Sequence, residues 1–282
     1  MEQKENEFAY HFFKAILKPI YKLWYNPTII GAENIPKEGN IIIVGNHINI
    51  MDQCNVIIAT NRVIHYMAKK EYFDPKYKEG HFGWFFRSAG CIPVDRSIKD
   101  EDATNSALEV LNKKEALGLF PEGTRNGLKE SRAKEIYNEY LQEENITFEE
   151  FYKKAKKNKT TFTEYLIELQ EKKFITKDEM IDNLANADEY IEMLVKEKRI
   201  TKDEYFEHIF LPFKFGAVSM AKKTNSVIVP FVITGDYKLR SKNLTVRIGK
   251  PIGPEEDLEK ANLHLEEAMK KLIKENYQMN EK

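Results

Sequence analysis

Short aliphatic runs alternate along the chain with longer segments whose apolar positions recur every three or four residues. The runs at 40–44, 63–68, 91–94, 116–120, 226–233 and 244–248 are largely apolar, most of them with Ile and Val, and lack strict polar alternation. That pattern predicts strands covered on both faces. Helical periodicity predicts helices at 52–60, 83–88, 101–114, 213–223 and 255–275. Strand and helix taken in turn predict an α/β layer fold with a largely parallel central sheet flanked by helices.

Two stretches break the rhythm. Residues 8–25 combine aromatic and aliphatic side chains with Lys14, Lys18 and Lys22 at four-residue spacing, and Pro19 is placed to kink or split the helix. On one helix the lysines make a basic stripe, as in a segment lying in a membrane interface. The alternative is a helix packed on its own protein with the lysines in water. Residues 129–211 are dense in Lys and Glu, contain no strand-like run, and carry four capping-box signatures, at Thr147/Glu150, Thr161/Glu164, Thr176/Glu179 and Thr201/Glu204. Two of these sit in a repeat, Ile175-Thr176-Lys177-Asp178-Glu179 and Ile200-Thr201-Lys202-Asp203-Glu204. The organisation expected is therefore an N-terminal interfacial segment, 1–27, a main domain from 28–128 and 212–282, and an all-helical insertion, 129–211. The insertion reads as a lid, a docking surface or a tolerated surface addition.

Composition narrows the classes. The chain has 282 residues, 42% of them hydrophobic, enough for a full core. Lys and Arg number 44 against 45 Asp and Glu, so no overall positive field argues for nucleic acid. The two cysteines, Cys54 and Cys91, make no C-x-x-C pair or disulfide framework. No uninterrupted apolar stretch reaches spanning length, and the N-terminus lacks the pattern of an export signal.

The chemistry gathers where predicted strands end. Asn46-His47-Ile48-Asn49-Ile50-Met51-Asp52 offers a general base and a carboxylate to orient it, although Asp52 reads equally as a helix N-cap. Gly90-Cys91-Ile92-Pro93-Val94-Asp95-Arg96 and Phe120-Pro121-Glu122-Gly123-Thr124-Arg125 each set an arginine beyond a strand, and Gly123 permits a sharp turn with backbone N–H groups close to an anion. Val227 to Ile233 is an apolar strand containing Pro230. Each block has a local alternative: Arg96 pairing with Asp95 or Glu122, Glu122-Gly123 as a plain turn, Pro230 as a bulge or edge marker. Loops at the carboxyl ends of parallel strands are where ligands bind, and one His, two Arg and a Gly turn there suit a phosphate.

In order and spacing these four blocks resemble the glycerophospholipid acyltransferase family, in particular its 1-acylglycerol-3-phosphate acyltransferase branch, with N-H-x-x-x-x-D, G-x-I-P-V-D-R, F-P-E-G-T-R and an apolar strand carrying V-P. Met67-Ala68-Lys69-Lys70-Glu71-Tyr72-Phe73 is similar to that family's lysine-bearing segment, and Phe213-Lys214-Phe215-Gly216 to its Phe-Lys-x-Gly. The chain departs from the family at Asn49, often Ser there, and in the 129–211 insertion. The resemblance implies transfer of an acyl group from acyl-CoA or acyl-carrier-protein to 1-acyl-sn-glycerol 3-phosphate, without cofactor or metal. It assigns catalysis to His47 and Asp52, and substrate binding to Lys69, Arg96, Glu122, Gly123, Thr124, Arg125 and Pro230. With no G-x-S-x-G elbow or Cys-His pair, an acyl-enzyme is not expected. A lipid acceptor implies a peripheral or monotopic protein on the cytoplasmic face of the cell membrane, held through residues 8–25, with acyl-carrier-protein or another protein at the insertion. The competing readings are a different lysolipid or glycerol 3-phosphate as acceptor, or a non-catalytic lipid-binding or docking module.

Overall fold

The computed structural model describes residues 2–77, 80–81, 83–95, 97–98, 100–124, 128–158, 160–240 and 243–280. Among them the chain runs α1 (Glu2–Tyr25), β1 (Thr28–Ile30), β2 (Ile41–Gly45), α2 (Asp52–Ala59), β3 (Ile64–Lys69), α3 (Gly83–Ser88), β4 (Ile92–Val94), α4 (Glu101–Asn112) and β5 (Ala116–Leu119). It continues through α5 (Glu130–Ile136), α6 (Phe148–Lys157), α7 (Thr163–Glu171), α8 (Lys177–Asn183), α9 (Ala187–Lys196) and α10 (Lys202–Glu207) to α11 (Gly216–Thr224), β6 (Val227–Thr234), β7 (Thr245–Ile248) and α12 (Leu258–Asn280). The contacts divide it into two compact units, one formed by residues up to Gly123 together with those from Phe213, the other by Thr124–Pro212.

The first unit is built on a seven-stranded sheet in the order β1-β7-β6-β2-β5-β3-β4. Its pairings are parallel except β6 with β7. Successive strand residues point to opposite faces, and Ile41, Ile42, Ile43 and Val44 of the central β2 are all buried, so both faces are covered. Helix α11 packs on α4 and on α12, all three pack on the sheet, and α1 packs on α2 and α3. The register sets Val44 beside both Leu119 and Pro230, which brings the ends of β2 and β5 level. β1, with three residues, is too short to leave a pattern in the sequence.

α1 departs from the expected lysine stripe at Lys14, while Lys18 is half-buried and Lys22 exposed. The helix runs unbroken through Pro19, and Tyr10, Lys14, Leu17 and Tyr21 lie along its inward side. Lys14 is buried rather than on a lipid-facing stripe, because its ammonium donates to the carbonyl of Thr60, the residue that ends α2. A cation there complements the negative end of the helix dipole. Burial lowers the pKa of Lys14, and Lys18 nearby lowers it further. Most of what α1 turns outward is apolar, with Phe8, Phe12, Ile16, Ile20, Leu23 and Trp24 exposed alongside His11 and Lys22.

The second unit is helical, and Phe151, Leu166, Met180, Leu184, Ile191 and Leu194 are among its buried side chains. Capping boxes form at Thr147/Glu150, Thr176/Glu179 and Thr201/Glu204. The fourth does not: α7 starts at Thr163, and the Glu164 carboxylate is engaged by both Arg132 Nε and Nη2, at 2.8 and 2.9 Å. The repeat has a structural meaning. Before each copy a lysine, Lys173 or Lys198, takes positive φ, and the next N–H reaches back five residues, Phe174 to Leu169 and Arg199 to Leu194. Each copy is thus a Schellman helix end followed by Ile and a capping box.

Candidate active site

β2 ends at Gly45, and the next two residues begin the site. Asn46 exchanges two hydrogen bonds with the backbone of Ile233, accepting at 2.8 Å and donating at 3.0 Å, which ties this strand end to β6. His47 Nδ1 then lies 2.7 Å from Asp52 Oδ2. The same oxygen accepts the N–H groups of Ile48 and Asn49 at 2.7 and 2.8 Å, and Tyr237 donates its hydroxyl to Oδ1 at 2.7 Å. Asp52 is fully buried, and backbone, phenol and imidazole all meet it as donors. The arrangement is that of a carboxylate accepting the Nδ1 proton, so the basic lone pair of the imidazole resides on Nε2.

The capping alternative for Asp52 gives way. Met51 holds the cap position of α2, while the Asp52 carboxylate turns back over the loop that carries His47. Asn49 keeps that loop tight by accepting the Met51 N–H at 3.0 Å, so the departure from Ser is accommodated.

The floor of the site is aromatic. His47 stacks on Phe120, with ring centroids 4.0 Å apart and planes 11° from parallel. Phe120 in turn stacks against Tyr66 and meets Phe231 edge-on. Phe231 sits opposite Gly45 in the ladder, where a Cβ would fall 2.2 Å from its ring, so β2 needs glycine at this point. In the sequence Phe120 reads as the last residue of a strand; its stacking role needs the register of β2 against β5.

The Phe120-Pro121-Glu122-Gly123 turn closes around the base. Glu122 Oε1 accepts the backbone N–H of His47 at 3.3 Å. Gly123 has φ +69° and donates to the Phe120 carbonyl at 3.0 Å. Lys214 donates its backbone N–H to Pro121 at 3.0 Å and extends its side chain over Gly123, where an added Cβ would lie 2.4 Å from Nζ. Lys214 is not among the expected site residues, although the Phe213 to Gly216 segment, similar to the family's Phe-Lys-x-Gly, is the signal that marks it. On the next strand beyond β5, Lys69 ends β3 exposed, and the following Lys70 pairs with Asp95 just beyond β4. Lys70, and then Ser97, hold the Asp95 carboxyl down to about 2.

The fold thus brings together His47, Asp52, Glu122 and Gly123, with Lys69 on the same carboxyl edge. Pro230 is buried in the middle of β6, beside Gly249. Arg96 and Arg125 lie outside the described residues, and Thr124 belongs to the second unit. Burial pushes the thiols of Cys54 and Cys91 up to about 12, far from nucleophilic character at neutral pH.

The chain has relatives among known proteins. The family model described as Acyltransferase matches residues 26–234, and the chain belongs to that family. Among similar proteins is a 1-acyl-sn-glycerol-3-phosphate acyltransferase of Bacillus subtilis, 31% identical over 117 residues, which are 41% of this chain and 57% of that one. Others of that name are from Borreliella burgdorferi, 35% identical over 100 residues (35% and 38% of the two chains), and Saccharomyces cerevisiae, 35% over 124 (42% and 36%). The match spans between about a third and somewhat over half the length of these relatives. The crystal structure of the 1-acyl-sn-glycerophosphate (LPA) acyltransferase PlsC from Thermotoga maritima shares the fold, with TM-score 0.51 at 18% identity over 96% of this chain and 78% of that one.

Proposed function

We propose that the protein transfers a fatty acyl group from a thioester, acyl-CoA or acyl-carrier-protein, to the free hydroxyl of 1-acyl-sn-glycerol 3-phosphate, making phosphatidic acid. The observation that carries this reading is the His47–Asp52 dyad held on the carboxyl edge of an acyltransferase-family sheet. The acceptor hydroxyl attacks the thioester carbonyl as His47 Nε2 takes its proton. The tetrahedral intermediate collapses with cleavage of the C–S bond, and the imidazolium returns the proton to the departing thiolate. Asp52 holds the tautomer and stabilises the imidazolium, as in a serine-hydrolase triad. The acceptor is itself the nucleophile, so no acyl-enzyme forms, and no metal or cofactor is required. Lys69, Arg96, Glu122, Gly123, Thr124 and Arg125 are assigned to the phosphate and glycerol part, and the strand of Pro230 to the acyl side.

A lipid acceptor calls for an interfacial surface. The exposed apolar side of α1, extended by Trp84 and Phe85 of α3, which pack on Phe13, supplies one. Among the described residues no helix is long and apolar enough to cross a membrane. We propose that this apolar surface holds the protein at the cytoplasmic face of the cell membrane, with the 129–211 insertion as the surface for a carrier protein or another partner.

The deciding assay follows labelled acyl groups from each donor into 1-acylglycerol 3-phosphate in detergent micelles, for wild type and His47→Ala. The expected result is product from wild type and a loss of at least about 10³-fold in a folded His47→Ala variant. Wild-type transfer to glycerol 3-phosphate or a neutral lysolipid instead would reassign the acceptor. Absence of transfer to any of them would leave a binding module.

A further inference from the structure

Asp52 Oδ2 is occupied by His47 and two backbone N–H groups, whereas the partner of Oδ1 is a side chain from a distant part of the chain. Tyr237, in the loop between β6 and β7, donates to it at 2.7 Å. The same phenol oxygen accepts Asn55 Nδ2 at 2.7 Å, and Asn55 Oδ1 accepts the hydroxyl of Tyr21, on α1, at 3.0 Å. Asn55 is fully buried and Tyr21 nearly so. Every donor along this path points the same way, from Tyr21 through Asn55 and Tyr237 to Asp52, with His47 donating from the other side. Tyr25 packs on both phenols, edge-on to Tyr237 with centroids 5.4 Å apart, and the backbone of Arg240 donates to the Trp24 carbonyl at 2.7 Å. The Tyr237 loop is therefore fastened to the end of α1 at two points.

We propose that Tyr237 is a positioning residue for the reaction, fixing the Asp52 carboxylate against His47, and that Asn55 and Tyr21 hold its hydroxyl in that direction. This rests on the reading of His47 and Asp52 as the catalytic pair. Both tyrosines lie outside residues 26–234, the span matched by the family model, whereas Asn55 and Asp52 lie within it. Its path runs from the helix whose outer side is apolar to the carboxylate under the base. A phenol suits this role, because Asn55 fills its acceptor position and its one proton has Asp52 as its hydrogen-bonding partner. Burial, together with the nearby Asp52 charge, keeps that proton on. Among the described residues, the titratable groups around Tyr237 include Asp52, with Cys54 beyond it on α2, Tyr21 and Tyr25 on α1, and its own loop neighbours Asp236 and Lys238, which pair with each other.

Removing the hydroxyl leaves a buried carboxylate oxygen without its donor. The negative charge is then more available to the imidazole, so His47 holds its proton to higher pH. The test is Tyr237→Phe, which keeps the ring on Tyr25, read in two ways. By NMR, the titration midpoint of the His47 ring in the full-length protein is expected to rise by about one pH unit, with a displaced Nδ1–H resonance. In the transfer assay, kcat is expected to fall roughly 10- to 100-fold, the size of one charge-assisted hydrogen bond, with KM within about twofold and the acid limb of kcat/KM moved up in step. Tyr21→Phe is expected to act in the same direction, several-fold more weakly. An unmoved His47 midpoint in a folded Tyr237→Phe protein, or unchanged kcat, overturns the proposal. The NMR arm needs no substrate, so an inactive wild type would count against the acceptor while the relay is still decided.

Discussion

At the scale of single residues, the site depends on which polar groups are held in one protonation state. Cys54 and Cys91 sit within the first unit close to the chemistry, yet both thiols are raised to about 12. A raised thiol pKa means less thiolate at a given pH: at pH 8 an ordinary cysteine is roughly a quarter ionised, one near 12 about one part in ten thousand. Iodoacetamide at pH 8 is therefore expected to label neither cysteine in the native protein and both after denaturation. Rapid native labelling of either would reopen the question of a cysteine nucleophile. The His47–Asp52 pair was legible in the sequence because base and orienter lie within one short loop. Glu122 was legible as a member of the site, but its bond to the His47 backbone depends on two strands meeting. Phe120, Asn55 and Tyr237 left no such signal. An aromatic at a strand end and an asparagine on a helix are ordinary, and what ties them to the dyad is a partner up to 185 residues away.

At the scale of elements, periodicity told which residues share a face and not which face turns inward. The lysines of α1 were correctly spaced, but Lys14 is buried because the end of α2 offers it a carbonyl, and the apolar side is left outside. Strand positions followed from aliphatic runs, whereas β1 was too short to announce itself. The Thr-x-x-Glu boxes were legible wherever no stronger partner competed for the glutamate; Arg132 was that partner for Glu164. The helix ends before the repeat carry a further consequence. Lys198 has φ +60°, a left-handed conformation that costs a side-chain-bearing residue about 1 kcal/mol relative to glycine. Lys198→Gly is expected to stabilise the helical unit by about 0.5–1 kcal/mol, read from the urea midpoint at unchanged slope. A lower midpoint would mean that the lysine side chain contributes more than its backbone strain removes.

At the scale of the whole molecule, the α/β class and the position of the site on the carboxyl edge were both legible, because parallel strands joined by helices leave their loops on one side. The exposed apolar side of α1 is where the membrane reading can be tested. Phe12→Glu combined with Trp24→Glu is expected to abolish cosedimentation with vesicles of phosphatidylglycerol and phosphatidylcholine, while leaving the melting temperature close to wild type, since both side chains are about half exposed in the folded chain. Undiminished vesicle binding would remove α1 from the interface. The place of the insertion has a separate consequence, for synthesis. β2 gains β5 on one side early, but its other neighbour, β6, lies beyond the whole helical unit. Roughly a hundred residues separate the end of β5 from the start of β6, so at ribosomal speed the open side of β2 waits about 5–20 s for its strand. During that interval the nascent chain carries an unpaired, wholly aliphatic edge, the feature that invites misassembly and chaperone attention, and the sheet can close only after the last helix of the insertion has emerged.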